Sequence, residues 1–321
     1  MKKVIIAAMV LLLACNKDPD LKNVDFRQEM RNFVSAISRY ARQSNSGFLI
    51  IPQNGIELTT LNGEADGPPA SLYLNDIDGV GQEDLFYGYV ADNQATPPAD
   101  NAYLLAFLQK LPPQGKAVLV TDYCSDASKM DDSWLQNNRQ GFISFAAPDR
   151  QLRQIPAYPP APRAANTDDI NQLTDAQNFL YLINPEGFAS RQAFLDSLAA
   201  TSFDLIIMDA FYEGALLTAD EVNSLKTKQG GGRRLVVAYM SIGEAEDYRY
   251  YWQASWSSNP PGWLSAPNPD WAGNFKVKYW QPEWQAIIYG SEEAYLDKLL
   301  AAGFDGAYLD IIDAFDYFEN L

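Results

Sequence analysis

The chain has 321 residues, with 41 Asp and Glu against 24 Lys and Arg, no His and two Cys. Without His there is no Ser-His-Asp triad, no Cys-His dyad and no His-ligated zinc, and two Cys cannot build a four-Cys metal site or a disulfide framework. A net charge of −17 argues against nucleic acid and anionic membrane surfaces as partners, while 47% apolar and 13% aromatic residues describe a packed protein rather than a disordered one.

In chain order, Lys2 and Lys3 come first, followed by the apolar run Val4–Leu13. As a helix this run would rise only about 15 Å, too short for a bilayer, so it reads as the core of a signal peptide. Leu12-Leu13-Ala14-Cys15 resembles a bacterial lipobox, in which the Cys thiol is lipidated. The expectation is a signal peptide over 1–14 and a polar tether over 15–24. The protein would then be held at the bacterial cell envelope, touching membrane only through the lipid on Cys15. Cys124 is left without a partner and reads as a buried apolar side chain.

From residue 25 onward, apolar β-rich runs alternate with helical stretches. Strands are expected at Phe48–Pro52, Ile77–Glu83, Ala117–Asp122, Phe179–Ile183, Asp204–Asp209, Leu235–Ile242, Phe275–Trp280 and Gly306–Ile311, with a weaker ninth run at Phe142–Phe145. Near-continuous apolar runs suit strands buried on both faces, as in parallel sheets. Helices are expected at Phe26–Arg42, Asn101–Leu111, Arg191–Ala200, Ala219–Lys226 and Glu292–Ala302, and Thr218-Ala219-Asp220-Glu221 is a capping box. Eight strong strands alternating with helices favour one (β/α)8 TIM-type barrel over 25–321; an open sheet with an added domain is the alternative. The Pro- and Ala-rich stretch 148–166 reads as a connection draped over the surface.

Chemistry in such barrels lies at the carboxyl ends of the strands. Those ends carry Gln53, Asn54, Glu83, Asp122, Asp209, Glu244, Glu246, Asp310 and Asp313. Carboxylates crowded in one cleft push each other's pKa values apart, which glycoside hydrolysis by an acid and a nucleophile requires. Tyrosines and tryptophans between Tyr239 and Trp284 crowd the same region, and Trp280, at the end of its run, is the candidate for stacking on a sugar ring. No cofactor and no His-dependent metal site is expected; an all-carboxylate Ca²⁺ site stays open.

The strings VVAYMSIGEAEDYR, FKVKYWQPEW, FDGAYLDIID, FLIIPQNGIEL, IDGVGQEDLFY and VLVTDY resemble glycoside hydrolase family 114, the bacterial extracellular barrels related to endo-α-1,4-polygalactosaminidase. The likeness covers nearly the whole chain after the leader, but the motif order differs: here Phe48–Asp122 holds the family's later motifs and Phe179–Asp313 its earlier ones. Rotation to Phe179, Asp204, Leu235, Phe275, Gly306, Phe48, Ile77 and Ala117 restores the family order, so the chain resembles a circular permutant joined near 148–166. Unrelated N-terminal strands on a truncated barrel are the alternative.

The resemblance implies a retaining glycosidase with Asp310, in DGAYLD, as nucleophile and Glu83, in GQE, as acid/base. Carboxyl groups about 5–5.5 Å apart go with retention, and about 6.5–9.5 Å with inversion. Fungal relatives have Asn where this chain has Ile311 and Glu where it has Tyr308, departures that bear on the sugar more than on the bond cleaved. Asp209, Glu244, Glu246 and Asp313 then become substrate-binding or pKa-tuning candidates. Tyr239, Gln53, Asn54 and Tyr123 become hydrogen-bonding ones, and Arg249 is expected to hold the GEAED loop by pairing with a nearby carboxylate. The expected partner is a polysaccharide or oligosaccharide, possession of a galactosamine-type α-1,4 linkage being the family's suggestion, and the expected state is a monomer. A glycan-binding lipoprotein with a degenerate site is the competing function.

Overall fold

The computed structural model describes residues 21–321; the expected signal peptide, the lipidation site Cys15 and most of the tether lie outside the described residues. Eight parallel strands form the centre. They are β1 (Leu49–Pro52), β2 (Gly79–Glu83), β3 (Ala117–Tyr123), β4 (Ile143–Ala147), β5 (Phe179–Leu182), β6 (Leu205–Asp209), β7 (Leu235–Ser241) and β8 (Gly306–Asp310). Ladders run β1-β8-β7-β6-β5 and β2-β3-β4, all parallel. The two sets meet at β1 and β2, through the parallel bridge Gln53–Gly81 and the bond from Asp78 N–H to the Ile50 carbonyl at 2.9 Å. At the other ends of the two sets, the rings of Phe145 on β4 and Phe179 on β5 lie 5.5 Å apart. The fold is thus mixed α/β around a parallel sheet. Every residue of β1, β3, β5, β6 and β7 is buried, as the near-continuous apolar runs require.

The five expected helices are present, as Phe26–Ser44, Pro98–Leu108, Arg191–Ala199, Ala219–Ser224 and Tyr295–Ala301. The Thr218–Glu221 capping box forms in both directions. One apolar cluster runs from Phe26 to Phe318 and fills the space between strands and helices. The helices Phe26–Ser44 and Ala314–Glu319 meet within it: Phe26 stacks on Phe318 at 5.6 Å, and Arg27 Nε donates to Glu319 Oε1 at 2.9 Å.

One strand assignment is corrected. Asn274–Val277 lies outside the parallel set, in an antiparallel meander with Glu244–Glu246 and Leu264–Pro267. From Phe275 to Lys278 the residues alternate Phe, Lys, Val, Lys, a period of two that marks a strand with one wet face. The eighth parallel strand is instead the weaker run at β4, where Ser144 interrupts the apolar sequence. The helix Ala127–Gln140 has no apolar period to announce it. It buries Met130 together with the polar pair Ser133 and Asn137, and both of these bond Asp122 Oδ2, at 2.6 and 3.1 Å.

Candidate active site

A cavity of about 750 Å³ opens at the carboxyl ends of these strands, where ligands bind in open and closed parallel sheets alike. Three strand ends are built the same way. Asn54 after β1, Asp84 after β2 and Ile311 after β8 all take left-handed backbone angles, with φ of 61°, 58° and 58°. This geometry turns the chain sharply and leaves Gln53, Glu83 and Asp310 at the rim. For β-branched Ile311 the left-handed angle is an outlier, costing about 1–2 kcal/mol, and strain of that kind gathers at functional sites.

Of the expected residues, Gln53, Asn54, Glu83, Tyr123, Asp209, Tyr239, Glu246, Asp310 and Asp313 all line this one cavity. Asp310 Oδ2 accepts from the Tyr239 hydroxyl at 2.7 Å. Burial, and next the charge of Glu83, push the Asp310 carboxyl up to about 8. Burial, followed by Asp316 and Glu83, raises Asp313 to about 6. Glu83 is held from both sides: Tyr123 donates its hydroxyl to Oε1, and Asn54 Nδ2 donates to Oε2 at 2.9 Å. Asn54 Oδ1 in turn accepts from the Glu83 N–H at 3.1 Å, so a single amide fixes both backbone and side chain. The Tyr181 hydroxyl orients Gln53 through Oε1 at 2.9 Å. Beneath the pair, Gly81 lets the sheet close over Tyr308, since a Cβ there would stand 1.8 Å from the Tyr308 hydroxyl oxygen.

Asp209 and Glu246 share one cation. Arg249 Nη1 donates to Asp209 Oδ2 at 2.7 Å and its Nε to Glu246 Oε2 at 2.6 Å, with all three side chains nearly sealed from water. Arg249 therefore holds the GEAED loop, as its position beside the acidic motif suggests, and ties that loop to β6. The Tyr248 hydroxyl completes the group, donating to Glu246 Oε1 at 2.6 Å.

Two sequence-derived roles need correction, and one strand-end acid points away from the cavity. Glu244 is fully buried away from the cavity; it pairs with Lys276 Nζ at 2.5 Å and accepts from Asn268 and Asn274, which staples the meander. Trp280 does not line the cavity either. Its ring packs on Phe26 at 5.1 Å and Phe318 at 4.8 Å, between the helices Phe26–Ser44 and Ala314–Glu319. Asp122 faces outward from β3 and receives the backbone N–H groups of Phe86 and Tyr87, fixing the loop after Glu83. For Asp122 the strand-end position was legible but the direction of the side chain was not; Trp280 and Glu244 lie beyond the parallel strands altogether.

Of the aromatics expected to crowd this region, Trp271, 46% exposed, and Tyr248 are on the cavity wall in place of Trp280. Arg150, from the stretch that reads as a surface connection, also lines the cavity. A single Arg in a Pro-rich segment carries no motif. Among the described residues no group of three or more Cys, Asp or Glu side chains is arranged to hold a metal ion. Nor is any described helix long and apolar enough to cross a membrane.

Comparison with known proteins places this arrangement. An uncharacterized protein of Methanocaldococcus jannaschii is 40% identical over 160 residues, 49% of this chain and 42% of its own length. Uncharacterized proteins of Deinococcus radiodurans and Thermotoga maritima are 43% and 39% identical, over 40% and 38% of this chain. The chain spans about two fifths of the length of these curated relatives. A model of glycoside-hydrolase family GH114 matches residues 159–321, half of the chain, which includes β5 to β8 and Asp310. By that match the chain belongs to glycoside-hydrolase family GH114.

Proposed function

We propose that this protein is a retaining glycoside hydrolase in which Asp310 attacks the anomeric carbon and Glu83 protonates the leaving oxygen. The observation that carries this reading is the pair itself: two carboxyl groups from opposite ends of the chain line one cavity, and one raises the proton affinity of the other. Two carboxyls with one proton between them are what the reaction needs. Burial and the neighbouring Glu83 raise the proton affinity of Asp310, which favours that proton on Asp310 in the free protein. Attack requires Asp310 ionised, so the working arrangement has the proton on Glu83, with the total unchanged. The Asp310 carboxylate then bonds to the anomeric carbon while the glycosidic C–O bond breaks and Glu83 gives its proton to the departing oxygen. Water, deprotonated by Glu83, next displaces Asp310 and returns the pair to its starting charge.

The architecture we favour is a closed (β/α)8 barrel, circularly permuted relative to the family. Support comes from the neighbour order β5-β6-β7-β8-β1-β2-β3-β4, the ring contact between β4 and β5, and the Arg27–Glu319 pair that joins the helices Phe26–Ser44 and Ala314–Glu319. The substrate we favour is a galactosamine-type α-1,4 polymer with free amino groups. Glu186, Glu213, Asp313, Glu83 and Asp310 line the cavity, while its two cations, Arg150 and Arg249, are already paired with carboxylates. Such a field draws cationic sugars. Trp271 and Tyr248 offer stacking faces. We place the enzyme at the cell envelope through lipid on Cys15, on the strength of the Leu-Leu-Ala-Cys string.

The test is product analysis of purified protein on galactosamine, glucosamine and galactose polymers. Chain cleavage that fails in both Asp310→Asn and Glu83→Gln supports the reading. Binding without cleavage by the wild type, or full activity in both variants, overturns it.

A further inference from the structure

Arg150 lies in the connection between β4 and β5 and reaches back across the carboxyl ends of β2 and β3. Its Nη2 and Nη1 donate to the two oxygens of Asp84 at 2.9 and 3.2 Å. Its Nε donates to Asp92 Oδ1 at 2.7 Å, and Nη2 also reaches the Gly88 carbonyl at 2.5 Å. The guanidinium carbon stands 4.1 Å from the centre of the Tyr123 ring. Each guanidinium nitrogen thus has a protein acceptor, so the group serves the cavity wall rather than an anionic ligand.

Two of its contacts lead to Glu83. Asp84 follows Glu83 directly and holds a left-handed backbone angle, a conformation that persists only when its surroundings fix it. The bidentate Arg150 clamp fixes it, and the loop is shaped around that clamp. At Gly88, with φ of +118°, a Cβ would stand 2.0 Å from Asp84 Oδ1 and 2.9 Å from Arg150 Nη2. The second contact is Tyr123, whose hydroxyl donates to Glu83 Oε1. A cation over the ring face holds the ring in place and makes its hydroxyl a stronger donor.

We propose that Arg150 is a positioning residue for Glu83: stacked on Tyr123 and clamped to Asp84, it fixes both the hydroxyl that donates to the Glu83 carboxyl and the turn that carries it. Its consequence for turnover rests on the glycosidase reading; the contact itself does not. The experiment labels tyrosine at the ζ carbon with ¹³C and identifies the Tyr123 resonance by its loss in Tyr123→Phe. In Arg150→Met that resonance is expected to move toward its position in Glu83→Gln, and Arg150→Lys, which restores charge without the fork, to recover part of the difference. On α-1,4-galactosamine oligomers Arg150→Met lowers kcat about tenfold with KM little changed, as a displaced catalytic group does. The double variant Arg150→Met/Tyr123→Phe is slower than Tyr123→Phe alone by less than the loss Arg150→Met causes by itself, because the two substitutions share the Tyr123 contact while the Asp84 clamp belongs to Arg150. A Tyr123 resonance unmoved in Arg150→Met, or losses that multiply in the double variant, overturns the proposal. A wild type that cleaves no polymer overturns the glycosidase reading, and the resonance still decides the role of Arg150.

Discussion

Tyr239 and Asp310 sit on neighbouring strands but not opposite each other. The β7–β8 register pairs Tyr239 with Tyr308, and the Tyr239 hydroxyl reaches diagonally to Asp310 Oδ2 at 2.7 Å. A phenol deep in the sheet thereby steadies a carboxyl at its rim. Tyr239→Phe removes a donor to the charged form of Asp310, which makes ionisation harder. We expect kcat to fall by roughly tenfold or more while thermal stability changes little, since the carboxyl that loses its donor is mostly protonated at neutral pH. Steady-state kinetics beside a thermal melt would check this.

Asp310→Asn and Glu83→Gln should each lower turnover by about 10³-fold or more with the fold intact. In the wild type, the anomer released first, read by NMR before mutarotation, should keep the configuration of the bond cleaved. An inverted first product would disprove Asp310 as nucleophile.

The raised Asp310 carboxyl also predicts how stability varies with pH. Its ordinary value is 3.8 and burial takes it to about 8 in the folded protein. Between these values the folded state binds more protons than the unfolded chain, so this group makes stability fall as pH rises from about 4 to about 8, and is without effect beyond. Asp310→Asn should flatten that part of the profile and raise stability at pH 8 by roughly 1–2 kcal/mol, less than the full shift because the carboxyl faces a wet cavity. Urea melts of both proteins from pH 4 to pH 9 would show whether the gap between the curves narrows steadily toward the acid end.

Arg249→Met should be among the most damaging single changes. It leaves Asp209 and Glu246 buried without their cation. Removing one member of a buried ion network costs about 3–5 kcal/mol. Combining it with Asp209→Asn and Glu246→Gln should restore much of the lost stability, measurable by chemical denaturation.

Tyr308 gives the opposite expectation. Its hydroxyl is buried beneath the two carboxyls and has no hydrogen-bond partner among the described residues. Tyr308→Phe should therefore leave stability unchanged or raise it by up to about 1 kcal/mol, whereas Gly81→Ala, which drives a Cβ into that hydroxyl, should cost several times as much. Paired melting curves would decide both.

The five helices and seven of the eight parallel strands are written in apolar periodicity and turn residues, which act locally. So is the placement of nine expected residues around one cavity, because a parallel sheet puts every strand end on the same side. The helix Ala127–Gln140 was hidden because it docks through Ser133 and Asn137 onto Asp122, and a polar contact leaves no hydrophobic period. The antiparallel strand Asn274–Val277 passed for a parallel one because aromatic and β-branched residues suit both.

Composition and motif strings alone set the residue types on offer: acids without histidine, gathered at strand ends, in strings that resemble one hydrolase family. Only the tertiary structure decided which acids are available to a ligand. Asp122 and Glu244 are consumed by backbone amides and a lysine, Asp209 and Glu246 by Arg249, while Glu83 and Asp310 remain on the cavity wall. The reason is that a carboxylate's role is set by what neutralises it, and those partners come from distant segments whose meeting no local pattern encodes.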